Sequence, residues 1–145
     1  MDSDICLVCS IDPTSHSFMK IKEIDGVSYY YTCPAQSSKY NDTNGILTHC
    51  ENVLKLNGEH PWIWIIDCAG FSLKYATEIK TAIGISNLLT SKYGEQLQEI
   101  IVKKPTWHVQ SLLYIIWPFL STHIQSIIVI DNIDKTPRLN TEENV

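Results

Sequence analysis

The stretch Trp62-Ile63-Trp64-Ile65-Ile66-Asp67 decides the fold of this chain. It is a continuous apolar run that follows a proline and ends in a carboxylate, which is typical of a strand buried on both faces of a sheet. The residues Cys68-Ala69-Gly70 supply a turn after it, and Ser72 can then cap a helix. Strand, glycine turn and helix predict a crossover unit, with this run as the central strand.

The same alternation continues on both sides of the central strand. β-branched and aromatic residues predict a strand where they cluster, and apolar residues at helical spacing predict a helix. The predicted order is strand 27–33, a helix from Ile46 that Gly58 closes, strand 62–67, one long helix from Leu73 to near Gly94, strand 97–102, helix 106–119 and strand 127–130. Strands that alternate with helices predict the α/β class.

The composition predicts one folded domain. The chain has 145 residues, of which 44% are hydrophobic and 19% are charged, enough for one core and too few for two. We expect an N-terminal arm or edge strand over residues 1–25, the domain over residues 26–131, and a mobile polar tail over residues 132–145. No internal repeat interrupts this division.

The charge and the amino terminus restrict the partners and the location. The formal net charge of −5 opposes binding to nucleic-acid phosphates, so we expect no nucleic-acid partner. The start Met1-Asp2-Ser3-Asp4 is acidic, and no apolar signal region follows it. The apolar run 112–120 contains Pro118 and has nine residues, whereas a membrane-spanning helix needs about 20. We therefore predict a cytoplasmic protein.

The cysteines give no strong sign of a metal site. Cys6 and Cys9 have the spacing of a zinc-binding pair, but a second pair is missing. The remaining cysteines, at positions 33, 50 and 68, are scattered through predicted core elements. We expect small buried thiols, without disulfides and without a bound metal.

No constellation predicts catalysis. Cys68 follows the end of the central strand, and with His108 it could form a nucleophile and a base. No oxyanion arrangement accompanies the pair. The glycines at positions 58, 70, 84 and 94 are isolated, so a phosphate-binding loop is not predicted either. We expect a protein that is not an enzyme, with no catalytic residue and no cofactor.

The helix predicted near the C-terminal end is unusually apolar. After its first turn, residues 106–120 carry apolar side chains on every face, and such a helix is not stable on a wet surface. It could be a wholly buried core helix or a lid that faces a lipid. The pattern alone does not distinguish these two interpretations.

Four motifs, taken together and in this order, resemble the CRAL-TRIO lipid-transfer family. They are the run from Trp62 through Asp67 to Gly70, Tyr93-Gly94-Glu95, Pro105-Thr106-Trp107, and Trp117-Pro118-Phe119-Leu120. The resemblance covers residues 26–131 and implies a lobe with a mixed β-sheet flanked by helices. It is a minimal version, because residues 1–25 are too short for the helical bundle with which the family usually begins. One departure is Gly94, which stands where the family has proline.

The resemblance implies a binding protein for a lipid or another hydrophobic small molecule, acting in lipid transfer or in sensing at membranes. The sheet would form the floor of the pocket, and the helix matching residues 106–120 would be a movable gate. The implied ligand-binding residues are Trp64, Ile66, Tyr93, Ile101, Leu112, Leu113 and Ile116. The implied gate and membrane-contact residues are Trp107, Tyr114, Trp117, Phe119 and Leu120. Transient membrane contact follows from this arrangement.

A second function is open at this point. A protein of the same fold without a functional pocket would use its apolar helix to bind a partner or to form a homodimer. The absence of the usual flanking elements motivates this alternative, because an uncovered apolar patch favours association.

Overall fold

A computed structural model describes residues 18–37 and 42–131. Its five strands form one sheet in the order β1-β2-β3-β4-β5. The first two strands are antiparallel, and the other neighbouring pairs are parallel. The strands are β1 (Met19–Ile24), β2 (Val27–Thr32), β3 (Trp62–Asp67), β4 (Leu97–Lys103) and β5 (Ile128–Asp131). The predicted mixed sheet is thus confirmed, with β3 in its centre.

Five α-helices accompany these strands in the described part of the chain. They are α1 (Thr43–Asn57), α2 (Leu73–Ala76), α3 (Ile79–Leu88), α4 (Trp107–Ile116) and α5 (Thr122–Ile127). Shorter helical turns lie at Pro34–Gln36, Leu89–Tyr93, Gly94–Gln96 and Trp117–Phe119. Asp42 caps α1 by accepting a hydrogen bond from the Gly45 N–H at 3.2 Å.

The strand order places the helices on one face of the sheet. The order of the parallel strands never reverses, and crossovers between parallel strands are right-handed. All the crossover helices therefore pack on the same side. Alternate residues of each strand face them, such as Tyr30, Trp62 and Trp64, which are buried.

Aromatic rings fill the core beneath α1. Phe18 stacks on Tyr30 with 5.2 Å between ring centroids, and it meets Trp62 and Trp64 edge-on. The Trp64 indole N–H donates to the Thr32 hydroxyl at 2.8 Å. This packing explains why β3 carries two tryptophans: both rings point to the helix-covered face.

The long helix predicted from Leu73 is wrong, because two helices occupy this segment. The Thr77 hydroxyl donates to the Lys74 carbonyl at 3.0 Å, and such a local bond competes with helix continuation. α2 therefore ends at Ala76, and Leu73 stays 61% exposed. Helix α5 was not predicted either; it is short, and its start depends on the Ser121 hydroxyl, which accepts from the Ile124 N–H at 3.2 Å.

The predicted bounds of the domain stay a prediction. The sheet begins at Met19, before residue 26, and β1 is its edge strand. Residues 1–17 and the predicted tail at 132–145 lie outside the described residues.

Gly94 occupies a position where a side chain does not fit. A Cβ atom there would collide with the carbonyl oxygen of Leu89 and lie 3.2 Å from Ile124. Its φ of −72° is accessible to any residue, so the requirement is for space. The departure from the family pattern at this position is thereby explained by close packing of the turn before β4.

Candidate hydrophobic ligand site

An apolar cavity of about 140 Å³ lies between the sheet and the helices that cover it. Its floor consists of every second residue of β3 and β4, whose side chains point toward the helices. These are Trp64, Ile66, Ile100 and Val102. Pro34, Cys68 and Phe71 line the end of the cavity near the carboxyl ends of the strands.

Helices α3, α4 and α5 form the roof of the cavity. Their contributions recur at the helical spacing of three and four residues. They are Ala82, Ile85 and Ser86 from α3, Val109, Leu112, Leu113 and Ile116 from α4, and Ile124 from α5, with Leu89 and Leu120 beside them.

The few polar side chains at the cavity already have partners. Thr32 accepts the Trp64 indole hydrogen bond, and the Ser86 hydroxyl donates to the Ala82 carbonyl of its own helix at 2.8 Å. No charged side chain of residues 18–37 and 42–131 lines this cavity. A molecule inside it would therefore be held by apolar contact and shape, without a buried counter-ion.

The structure brings together five of the seven residues that the resemblance implied for ligand binding. Trp64, Ile66, Leu112, Leu113 and Ile116 line the cavity, whereas Tyr93 and Ile101 do not belong to its described lining. The role of all seven residues in ligand binding stays a prediction.

Alternation and local contacts explain the two displaced residues. Ile101 lies between Ile100 and Val102 on β4, so its side chain points to the opposite face of the sheet. The Tyr93 hydroxyl donates to Glu51 at 3.4 Å, and the Tyr93 carbonyl accepts from the Trp62 indole at 3.3 Å. Tyr93 thus joins α1 to the sheet.

The α3 residues of the lining were missed, although a signal existed. Ala82, Ile85, Ser86 and Leu89 are spaced by three and four residues, the pattern of one helix face. Because Ala82 and Ser86 are small, this helix face does not stand out as hydrophobic in the sequence.

The outer face of α4 and the turn after it expose large aromatic side chains. The exposed fractions are 68% for Trp107, 85% for Tyr114, 40% for Trp117 and 47% for Phe119. Leu120, which the resemblance placed in the gate, is buried and lines the cavity instead. α4 therefore carries large apolar side chains on both faces. The inner face lines the cavity, and the outer face, which also carries Gln110 and Ser111, is not covered by the described residues.

The same segment is free of charge. Residues 105–130 contain no Asp, Glu, Lys or Arg. Two hydrogen-bonded ends hold it in place: Thr106 donates to the Phe71 carbonyl at 3.0 Å, and the Gln125 amide donates to the Trp117 carbonyl at 3.1 Å. Among the described residues, no helix is long and apolar enough to cross a bilayer.

Cys68 has the properties of an inert core thiol. It is 1% exposed, and burial, followed by the nearby charge of Asp67, raises its pKa to about 12. A nucleophilic cysteine needs the opposite shift. His108 stacks on Trp107 with 3.8 Å between ring centroids. Within the described residues no group of His, Cys, Asp or Glu could hold a metal, and Cys6 and Cys9 lie outside them.

Comparisons with known proteins agree with this arrangement. The family model described as CRAL/TRIO domain matches residues 27–142. A solved structure described as the crystal structure of Sfh5 superposes with a TM-score of 0.64 at 10% identity, and the match covers 83% of this chain and 55% of that one. The chain thus spans about half the length of that protein. No curated protein sequence matches significantly. Since the family model spans the whole described sheet and its helices apart from β1, this chain belongs to the CRAL/TRIO domain family.

Proposed function

We propose that the cavity under α4 binds a lipid or another hydrophobic small molecule. The observation that carries this proposal is an almost wholly apolar cavity whose roof helix also exposes large aromatic side chains on its outer face. Membership of the CRAL/TRIO family supports binding of hydrophobic small molecules in general. The protein would act as a carrier or sensor, with no catalytic step.

The size of the cavity implies that the roof moves. A dry apolar cavity of about 150 Å³ accepts a molecule as small as benzene, and pockets for larger ligands measure about 300–1,000 Å³. The cavity of about 140 Å³ therefore accommodates only part of an acyl chain. A complete lipid requires displacement of α4 and the turn after it, which is the gate motion that the resemblance implied.

The purified full chain is expected to carry sub-stoichiometric lipid or another amphiphile from its host. Burial of apolar surface contributes about 25 cal/mol per Å², so an acyl chain under the roof dissociates slowly in water. The measurement is organic extraction followed by mass spectrometry, with a mock purification from the same host as control. Clean extracts from several hosts would contradict ligand binding.

The exposed face of α4 supports transient contact with a membrane. Aromatic rings are favoured at the boundary between headgroups and acyl chains. Trp107, Tyr114, Trp117 and Phe119 would enter this layer without carrying a charge into it, since residues 105–130 have none. Opening of the roof at the bilayer would then connect the cavity to the lipid.

Replacing Trp117 or Phe119 with Asp is expected to weaken liposome association about tenfold, or about 1.4 kcal/mol. A carboxylate in the boundary layer must remain hydrated, whereas the folded domain in water loses little. The measurement is co-sedimentation with neutral vesicles, together with thermal unfolding. Leu56→Asp is the matched control, because Leu56 is 62% exposed but lies on α1. Equal loss of thermal stability would instead identify Trp117 and Phe119 as core residues.

The same exposed helix favours one alternative function. In it, α4 binds a protein partner or a second copy, and the cavity holds no ligand. Extracts free of lipid, combined with an oligomer that Trp117→Asp dissociates, would support this alternative.

A further inference from the structure

The face of the sheet that points away from the helices, here called the open face, carries a continuous apolar row. The register pairs Met19 with Tyr31, Tyr31 with Ile65, Ile65 with Ile101, and Ile101 with Val129. Residues paired across neighbouring strands point to the same face. The row therefore crosses all five strands.

None of these five residues packs in the core. Met19 and Val129 are exposed, the other three are partly buried, and all five are absent from the cluster of buried and partly buried residues beneath the helices. Because the crossovers lie on the other face, no described helix covers this row.

Charged residues flank the apolar row on both sides. Toward the carboxyl ends of the strands, the register places Lys103 between Asp67 and Asp131. On the other side, Glu99 is paired with Ile63. The Tyr31 hydroxyl donates to Asp67 at 2.8 Å, which fixes that carboxylate. Among residues 18–37 and 42–131, neither Lys103 nor Glu99 forms an ion pair.

We propose that a second copy of this chain packs on the open face, with a two-fold axis that runs across the strands along the apolar row. This rotation places the apolar row of one copy against the same row of the other. The strands of the two copies then run in opposite directions. Lys103 lies two residues after Ile101, and Glu99 lies two residues before it. Each Lys103 therefore faces Glu99 of the second copy, and the pair occurs twice.

The alternative axis, parallel to the strands, fits the charges less well. It places the row of Asp67, Lys103 and Asp131 against the same row of the second copy. Where such an axis runs between β3 and β4, Lys103 faces Asp67 of the second copy, but Glu99 faces Ile63 and β1 faces no strand. Where it runs along β4, Lys103 faces Lys103 and Glu99 faces Glu99. The axis across the strands sets every strand against the same strand of the second copy and gives both Lys103 and Glu99 a partner of opposite charge. Asp67, which accepts the Tyr31 hydrogen bond, then faces Ile63.

The area of the open face is typical of a weak interface. Five strands about 4.8 Å apart and six residues of about 3.3 Å each give a face of roughly 500 Å². Two copies together would bury about 1,000 Å², which lies at the low end for specific interfaces. We expect a dissociation constant in the micromolar range. Both cavities and both α4 helices would point outward, so this dimer neither requires nor prevents ligand binding.

Two charge-reversal variants test the proposed dimer by sedimentation of the full chain. Glu99→Lys places lysine against lysine across the axis, and Lys103→Glu places glutamate against glutamate. Each variant alone is expected to dimerise at least tenfold more weakly than the wild type. In an equimolar mixture every facing pair is again opposite in charge, so the heterodimer is expected to return to wild-type affinity within about threefold.

Three controls keep the result interpretable. Circular dichroism measures whether the variants fold. If Lys103→Glu does not fold beside Asp67 and Asp131, Ile65→Lys replaces it, because two lysines in the middle of the row should abolish the dimer. Trp117→Asp is expected to leave the dimer intact. A wild type that stays monomeric at about 100 µM, folded variants whose mixture does not dimerise, or a dimer that only Trp117→Asp dissociates would each overturn the proposal.

Discussion

Raising the pH from 9 to 12 is expected to remove much of the stability of the protein, and the loss originates mainly in two buried groups. Burial, and then the charge of Asp67, raises the pKa of Cys68 from 9 to about 12. Burial, and then the charge of Glu23, raises the pKa of Tyr30 from 10 to about 12. Burial and the hydrogen bond to Asp67 raise the pKa of Tyr31 as well.

The sign of the effect follows from proton linkage. In the folded chain these groups keep their protons at pH values where the unfolded chain has lost them. Their contribution to stability is therefore complete below the unfolded pKa values of 9 and 10, and it is lost as the pH rises to about 12. Since each pKa unit corresponds to about 1.4 kcal/mol, the rise from 9 to about 12 for Cys68 and from 10 to about 12 for Tyr30 withdraws roughly 7 kcal/mol in all. The whole domain is expected to have a free energy of unfolding of about 5–15 kcal/mol.

Urea unfolding at increasing pH measures this loss. Tyr30→Phe keeps the ring but removes the titrating phenol, so it should reduce the decline between pH 9 and 12 by roughly 3 kcal/mol. Tyr114→Phe is the matched control, because it removes the same hydroxyl from a tyrosine that is exposed on α4. A free energy of unfolding that stays constant over this pH range would contradict the burial of Tyr30 and Cys68.

Replacing Ser86 with leucine is expected to weaken ligand binding at least tenfold while the fold remains stable. Ser86 lines the cavity from α3, and its hydroxyl donates to the Ala82 carbonyl of the same helix. A leucine side chain would occupy much of the cavity, and filling a dry cavity stabilises a protein by about 0.5–2 kcal/mol. The affinity for a neutral probe should fall at least tenfold, by about 1.4 kcal/mol or more.

Fluorescence titration of the delipidated chain with phenylnaphthylamine measures this affinity. Asn87→Leu is the matched control, because it adds the same side chain to the exposed side of α3. The control should bind as the wild type does. Equal affinity of Ser86→Leu and the wild type would contradict binding inside the cavity, even if the protein carries lipid elsewhere.

The sequence predicts much of the fold because its strands and first helix have strong local signals. The run from Trp62 to Asp67 has a pattern typical of a central strand, and Gly58 ends α1 with a φ of 65°. The segment after Ser72 has no comparable signal. Its break depends on the Thr77 hydroxyl and on the anchoring of Tyr75, whose hydroxyl donates to the Ala35 carbonyl at 3.3 Å. Neither hydrogen bond can be predicted from a periodic apolar pattern.

The candidate site was predictable in part for a similar reason. A helix of large apolar side chains over a sheet implies an apolar space, and five implied residues do line it. The alternation of a strand could have excluded Ile101 once its neighbours were known to face the helices. The lining residues of α3 depend on how α3 crosses the sheet, which the local sequence does not encode.

By itself the sequence determined the α/β class, the central strand, the family resemblance and an apolar helix of unsettled role, since these follow from periodicity, turn chemistry and motif order along the chain. The tertiary structure alone decided which face of each element is covered. It placed Ile100 and Val102 under the roof and Ile101 on the open face, and it left the aromatic side chains of α4 exposed. The physical reason is that burial depends on the handedness of the crossovers and on the strand order, which join residues distant in the chain.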